Sequence, residues 1–476
     1  MTDLPPGWAS ATVSDLVAHD GLFLDGDWVE SKDQDEAGEM RLTQLADVGA
    51  GVWRNRSDRY LTGQTAERLG CTELHVNDVL IARMPDPLGR ACLFPGDSKP
   101  CVTVVDVAVL RPGVGSVLPR WLMHAINSPR TRAEIEALQS GTTRKRISRK
   151  NLATVRLPVA PLAEQERIVA AIEEAFSKLD AGEAGLRNVR QLVKRMRDAI
   201  LAAAVAGRLV PQDPTDTPAK KLLADLGVEV SDAPNDESIP HSWTWALLGD
   251  VSSIGGGIQK QPKRVPVENA SPFLRVANVG RGRLDLGDVH QIELFDGELT
   301  RYGLAPGDLL VVEGNGSPDQ IGRSAIWHGE IDPCVHQNHL IRVRPSEAVD
   351  PAYLELYWNS PSASRRVQAV ASSTSGLHTL STGKLKGLPV ALPPLDEQTR
   401  IVAEVERQMS FIEACERSVV AGLLQSAALR RSVLEAAFEG RLVPQDPADE
   451  PASVLLERIR AKRAATPKKG RARPTA

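Results

Sequence analysis

The chain has 476 residues, 42% hydrophobic and 25% charged, with a net charge of −4. That length accommodates several domains, and the composition is that of an ordinary soluble globular protein. It excludes a chain too polar to fold, no apolar run approaches the ~18 residues of a membrane span, and no basic excess advertises a nucleic-acid binder.

The N-terminus, MTDLPPGW, lacks a basic segment and apolar core, so no signal peptide is expected. Five cysteines (Cys71, Cys92, Cys101, Cys334, Cys415) are scattered without CxxC spacing. They point to a reducing, cytoplasmic compartment and away from a structural zinc site.

In chain order, residues 1–160 carry short β-type runs broken by Gly and Pro, such as Val102 to Leu110, then a helical run from Pro119 to Asn127 closed by Ser-Pro. The expectation is a compact α/β domain with a mixed sheet. Near its end, Arg144, Lys145, Arg146, Arg149 and Lys150 place five cations in seven residues without an acid.

Residues 161–214 read as one long helix. Ile168, Ala175, Gly182, Val189, Met196 and Ala203 recur every seven residues, and Ile172, Leu179, Leu186, Val193 and Ile200 form a second series. This is the 4–3 alternation of a coiled-coil seam. Pro161 blocks extension upstream, and Gly207 with Pro211 ends it. A helix from Glu164 to Ala206 would be roughly 60 Å long at 1.5 Å per residue. Residues 215–238, acidic and holding Pro218 and Pro234, read as a linker.

Residues 239–393 form a second α/β segment, with β-type runs at Leu309–Val312 and Leu340–Val343 and a helical run from Pro351 to Asn359. Residues 394–443 read as a second long helix. It keeps Ile401, Val405, Ile412, Val419, Leu429 and Val433 on its stripe but also places Gln408, Gly422 and Ser426 there. Residues 444–476 read as a basic flexible tail.

Duplication organises these segments. GRLVPQDP occurs at Gly207–Pro214 and again at Gly440–Pro447, 233 positions on, and Pro161–Val169 repeats as Pro394–Val402 at the same offset. Missing such a repeat would miscall the fold. Pro5–Trp8 and Pro240–Trp243 resemble each other more loosely. Two equal apolar stripes in one chain are expected to pair, most simply antiparallel, although each could instead dock on its own domain. The order is variable, constant, variable, constant: one scaffold carrying two surfaces for similar tasks on different targets.

Catalytic signatures are scarce. There is no GxxxxGK[ST] loop, and Gly255–Gly257 lacks the Lys and Ser/Thr that would hold phosphate and magnesium. No GxGxxG follows a strand, and no Asn/Asp-Pro-Pro-aromatic tetrapeptide of the kind used by amino-methyltransferases is found. His336 and His339 would point to opposite faces of a strand, with no ligand cluster around them. The expectation is a chain without catalysis of its own.

What remains suits DNA. Thr142, Thr143, Arg144, Lys145, Arg146, Ser148, Arg149 and Lys150 mix hydroxyls with cations, and their counterparts are Thr374, Ser375, His378, Thr379, Ser381, Lys384 and Lys386. Cations and hydroxyls take phosphates; Arg, Lys, Gln and Asn also read base edges. Arg41 and Gln44, paired with Arg275 and Asn278, carry that second vocabulary, which is also common on any polar strand.

The Pro-x-x-Trp starts, the Gly307–Leu310 strand, Ser253–Gly257, the two PL-x-EQ-x-RIV blocks and the two GRLVPQDP ends together resemble the specificity subunit of Type I restriction–modification systems. The resemblance covers nearly the whole chain. It implies two α/β target-recognition domains in pseudo-two-fold repeat, separated by two long helices forming an antiparallel coiled coil, each domain reading half of a split DNA site. It implies two adenine-methyltransferase subunits that use S-adenosylmethionine, and restriction subunits that use ATP and magnesium, with no cofactor on this chain. The first domain departs from the pattern at Thr65–Val76 and opposite Ser253–Gly257. Other readings are a specificity subunit of another defence system and a stand-alone restriction–methylation enzyme.

Overall fold

A computed structural model describes residues 4–141, 145–233, 237–315, 321–374 and 377–465, with the backbone alone at 315, 372–374, 377 and 378. The chain divides into two compact units, residues 1–186 with 421–476, and residues 187–420.

In the first unit, Leu22–Asp25, Val107–Arg111, Val79–Ala82 and Ala91–Leu93 lie in that order in an antiparallel sheet. Val79–Ala82, apolar throughout, is buried along its whole length, as a central strand covered on both faces must be. A three-stranded sheet pairs Met40–Thr43 antiparallel to Tyr60–Leu61 and parallel to Cys101–Thr103. Ala9–Thr12 pairs with Arg156–Val159. Two helices, Pro119–Asn127 and Pro129–Ala137, each begin with a proline, whose fixed φ and missing N–H suit a first helical position.

The second unit repeats this arrangement strand for strand. Ser252–Gly256, Leu340–Pro345, Leu309–Val312 and Ser324–Ile326 form its antiparallel sheet. Ala270–Leu274 pairs antiparallel with His290–Glu293 and parallel with Val335–His336. Thr244–Leu247 pairs with Pro389–Leu392. The helices Pro351–Trp358 and Pro361–Val370 again start on prolines. The expected mixed α/β domains are therefore present twice, with the same strand order.

The long helices are Leu162–Val205 and Leu395–Phe438, 44 residues each. Within the first unit Arg430 pairs with Asp180 at 2.6 Å, Ser426 donates to Glu183 at 2.8 Å, and Gly422 faces Leu186. Rising numbers on one helix meet falling numbers on the other, so the segments run antiparallel. Within the second unit Arg197 meets Glu416 at 3.2 Å, and Leu201, Ala204 and Val205 share a core with Ile401 and Val405.

The seam differs from the seven-residue pattern in one series. Ile168 and Ile172 are buried, but Val189 and Met196 are exposed, and Phe176, Glu183 and Ala204 face inward instead. A straight α-helix drifts about 20° per heptad from a strict 3.5 repeat, so the inward stripe slides one position along the helix.

The repeated motif residues form a clamp inside each unit. Trp8 donates its indole N–H to Glu164 at 2.9 Å, and Trp243 donates to Glu397 at the same distance. Gln165 and Gln398 bond backbone beside the strand that leads into each helix. Arg167 pairs with Asp449 at 2.6 Å, and Arg400 with Asp216 at 2.6 Å. Thus the segment after one helix straps the start of the other.

Gly207 and Gly440 end the helices at φ +67° and +71°, and a Cβ there would lie 2.2 Å from Pro240 and 2.4 Å from Pro5. Only glycine fits both the left-handed backbone and that close approach of the proline ring.

The helices stop at Val205 and Phe438, short of the expected 214 and 443, because the left-handed Gly207 and Gly440 terminate them. Two further segments differ from expectation. The 215–238 linker contains the helix Ala219–Asp225, whose Ala219 and Leu223 are buried. The 444–476 tail contains the helix Ala452–Ala465, which buries Leu455, Leu456 and Ile459 in the first unit's core. Composition concealed these helices because their cations line the outward face. The two are equivalents: Ala219 N–H bonds Ser242 O, and Ala452 N–H bonds Gly7 O.

Candidate nucleic-acid interface

Beyond the central strand of each unit, three chain segments converge. In the first unit they are the loop 44–57, the connector 83–90 and the paired residues Ser140 and Arg146 with Ile147. The loop leaves strand Met40–Thr43 through a short 3-10 turn, Leu45–Asp47. Asp47, fully buried, accepts N–H bonds from Gln44 (2.8 Å), Arg56 (2.6 Å) and Ser57 (2.8 Å). Arg90 donates to Val48 O (2.6 Å) and Leu45 O (2.9 Å), and also to Met84 O and Pro87 O. Burial depresses the pKa of this guanidinium; its carbonyl partners compensate the desolvated charge. Arg83 joins the third segment: its guanidinium bonds Ile147 O at 3.1 Å, and Ile147 N–H bonds Arg83 O. Ser140 and Arg146 exchange backbone bonds.

The second unit builds the same cluster from different side chains. Its 3-10 turn is Val276–Asn278. Asn278, buried, accepts from Arg275 N–H at 2.8 Å and donates to Asp285 O (2.8 Å) and Asp288 O (2.9 Å). Arg323 takes the place of Arg90, donating to Val279 O (2.7 Å) and Val276 O (3.0 Å). Leu380 N–H bonds Glu313 O, as Ile147 N–H bonds Arg83 O. The third place holds the strand pairing of Gly314–Asn315 and Ser372–Thr374 with Leu377–Thr379. Asp serves where amides must be held, and Asn where carbonyls must also be held, as their donor and acceptor inventories require.

The sequence candidates distribute unevenly over this cluster. Lys145, Arg146 and Lys150 are exposed. Arg149 is exposed but lies 3.5 Å from Asp25. Ser148 and Ser381 are helix N-caps, accepting from Asn151 N–H and Lys384 N–H, so their hydroxyls face their own helices. Thr379 is half-buried, Lys384 half-buried and Lys386 exposed. Thr374 and His378 lie in the strand pair by their backbones; Thr142, Thr143, Arg144 and Ser375 lie outside the described residues.

Arg41 does not face solvent. Its guanidinium is buried, bonding Asp97 at 2.5 Å and Ser57 O at 2.8 Å and stacking on Trp53. Asn278 is likewise a buried brace. The pairing of Arg41 with Arg275 and Gln44 with Asn278 is corrected by three positions: Gln44 matches Arg275 and Asp47 matches Asn278, each pair flanking the 3-10 turn. Gln44 is half-buried on a cleft shared with Trp28, Ala46, Arg90 and Asp106. Arg275 pairs with Asp288 at 2.7 Å.

The chain positions that sequence reasoning missed are the exposed tips, Ala50–Val52 with Arg54 and Arg56, and Arg281–Arg283. The repeated Ala-Asp-Val-Gly of 46–49 and Ala-Asn-Val-Gly of 277–280 was the signal that marks them.

Among the described residues no group of three His, Cys, Asp or Glu side chains could hold a metal ion. His336 is buried with Nδ1 against Tyr302 O at 3.2 Å, and burial lowers its pKa to about 4. His339 is exposed beside Glu313. No described helix is long and apolar enough to cross a membrane.

No protein-family model matches the chain. It is 30% identical over 371 residues to the Type I restriction enzyme EcoKI specificity subunit of Escherichia coli (strain K12), covering 75% of this chain and 74% of that one. It is 29% identical over 359 residues to the StySPI specificity subunit of Salmonella potsdam, covering 73% and 72%. Among solved structures, the HsdS subunit from Thermoanaerobacter tengcongensis superimposes with TM-score 0.52 at 18% identity, over 92% of this chain and 98% of that one. A chain from a type I R-M system, solved for its complex assembly and conformational transition, gives TM-score 0.65 at 20% identity over 93% and 100%. At these identities the two structures speak for the fold.

Proposed function

The chain belongs to the specificity subunits of type I restriction enzymes, and from that premise we propose that its two α/β domains each recognise one half of a bipartite DNA target. As a member of that family it is a non-catalytic DNA-recognition subunit. In this reading it directs two adenine-methyltransferase subunits, which bring S-adenosylmethionine, and restriction subunits, which bring ATP and magnesium. It needs no cofactor of its own and works in the cytoplasm.

One observation carries the proposal. The same braced loop occurs twice on the same strand frame, held by Asp47 and Arg90 in one unit and by Asn278 and Arg323 in the other. Buried polar braces of this kind fix loop geometry, while the exposed tips differ between the copies. Two equal frames with unequal tips suit two readings of different half-sites.

Co-expression with a partner methyltransferase, followed by mapping of methylated adenines in genomic DNA, tests it. The expected result is a split motif. Exchanging residues 239–393 for the equivalent domain of a relative should change one half of that motif only. Changes in both halves would defeat the modular reading.

A further inference from the structure

The two loop tips superpose residue on residue through their shared hydrogen bonds. Gly49 N–H bonds Val52 O, and Gly280 N–H bonds Arg283 O. Arg54 N–H bonds Asp47 O, and Asp285 N–H bonds Asn278 O. Val48 bridges Trp53, and Val279 bridges Leu284. Gly51 and Gly282 stand at the apices with φ +76° and +67°, and a Cβ on either would meet open space. These bonds align position 44 with 275, 50 with 281, 52 with 283 and 54 with 285.

At those places the first unit presents Gln44, Ala50, Val52 and Arg54, and the second presents Arg275, Arg281, Arg283 and Asp285. Val52 is 55% exposed although it is a large apolar side chain on a tightly braced turn. A lone exposed Val is ordinary on a protein surface. Its place is not: its backbone is fixed from behind by Gly49, and the equivalent place holds an arginine. Arg283 lies along Gly280, its Nε 3.4 Å from where a Cβ would sit, so that glycine gives the side chain its bed.

We propose that these two tips are base-reading turns and that positions 52 and 283 set the chemistry each half-site must show. The inference rests on the function proposed above. In the major groove an apolar side chain meets the thymine methyl, Gln pairs bidentately with adenine, and Arg pairs bidentately with guanine O6 and N7. Val52 therefore selects a thymine, and so an A·T pair, in the half-site of the first domain. Arg283, with Arg281 beside it, selects a guanine in the half-site of the second. The exposed Lys145, Arg146 and Lys150 then hold phosphates, which position the domain without reading sequence.

The test uses the full chain co-expressed with its methyltransferase, and genomic mapping of methylated adenines. Arg283→Ala should abolish the guanine requirement at one position of one half-site, a loss of roughly 5- to 150-fold in discrimination, and leave the other half unchanged. Val52→Ala should relax a thymine position in the opposite half. Arg283→Lys separates base reading from phosphate binding, because it keeps the charge and removes the fork. It should relax the guanine position while the salt dependence of binding stays as in wild type. A wild-type chain that directs no motif overturns the proposed function and this inference with it. A wild-type split motif that Arg283→Ala and Arg283→Lys both leave intact overturns the inference alone. So does relaxation of both halves together.

Discussion

Replacing Trp8 or Trp243 by Phe removes the same indole donor from the same clamp, yet the two penalties should differ. Both tryptophans are buried to a similar degree, 8% and 5% exposed, so the change in packing is comparable. Their carboxylate partners are not equivalent. Glu397 also accepts from Gln212 at 2.5 Å, whereas the second oxygen of Glu164 is buried without a partner. Trp243→Phe leaves Glu397 one donor; Trp8→Phe leaves Glu164 none. A bond to a charged group contributes about 1.5–3 kcal/mol, so Trp243→Phe should cost about that, and Trp8→Phe more, because it also leaves a buried carboxylate without any donor. The first penalty should also depend on pH. Burial raises the pKa of Glu164, and the indole bond pulls it back down; without Trp8 it rises further. An acid whose folded pKa lies above its unfolded value favours folding below the unfolded pKa and loses that contribution as pH climbs through the folded one. The Trp8→Phe penalty should therefore grow between about pH 5 and pH 8. Urea unfolding followed by circular dichroism at both pH values measures this. A Trp8→Phe penalty equal at the two pH values, or smaller than that of Trp243→Phe, would refute the reasoning.

Exchanging the brace residues, Asp47→Asn or Asn278→Asp, should destabilise each domain by about 2–4 kcal/mol, since each faces an amide donor toward amides or a carboxylate toward carbonyls; thermal unfolding checks it. Leu455→Ala and Ile459→Ala should each cost about 2–5 kcal/mol, because the C-terminal helix is part of the first unit's core; unfolding midpoints unchanged by either would mean that helix is undocked. Lys145→Ala with Arg146→Ala should lower the slope of log affinity against log salt by about 0.9 for each phosphate that these cations neutralise, measured on duplex DNA carrying the motif; an unchanged slope would mean these cations are merely solvated.

The architecture was legible because the repeat exposes it. The two PL-x-EQ-x-RIV blocks place the starts of the helices within one residue, whereas the expected ends at 214 and 443 overran Val205 and Phe438, and the mixed α/β character of the domains follows from their short β runs and proline-started helices. The helix 452–465 escaped notice because its core packing rests on Leu455, Leu456 and Ile459 within a strongly cationic run. Charge density dominates a reading by composition, whereas docking needs only one apolar stripe.

The interface was less legible, for a reason the braces explain. Cations and amides are the vocabulary of base reading, but inside a domain they are also the vocabulary of loop construction. Arg41, Arg90 and Arg323 use their guanidinium groups on carbonyls and carboxylates of their own domain, and Asn278 uses its amide likewise. Residue type cannot separate the two roles; only burial and partners can. The residues left to face outward include Ala50 and Val52, which no search for polar DNA-binding side chains would select. A turn held by buried polar groups leaves its tip free to carry any side chain, apolar ones included. Different tips on one frame then cost the fold nothing, and the two halves can diverge in what they touch while their strands, helices and braces stay superimposable.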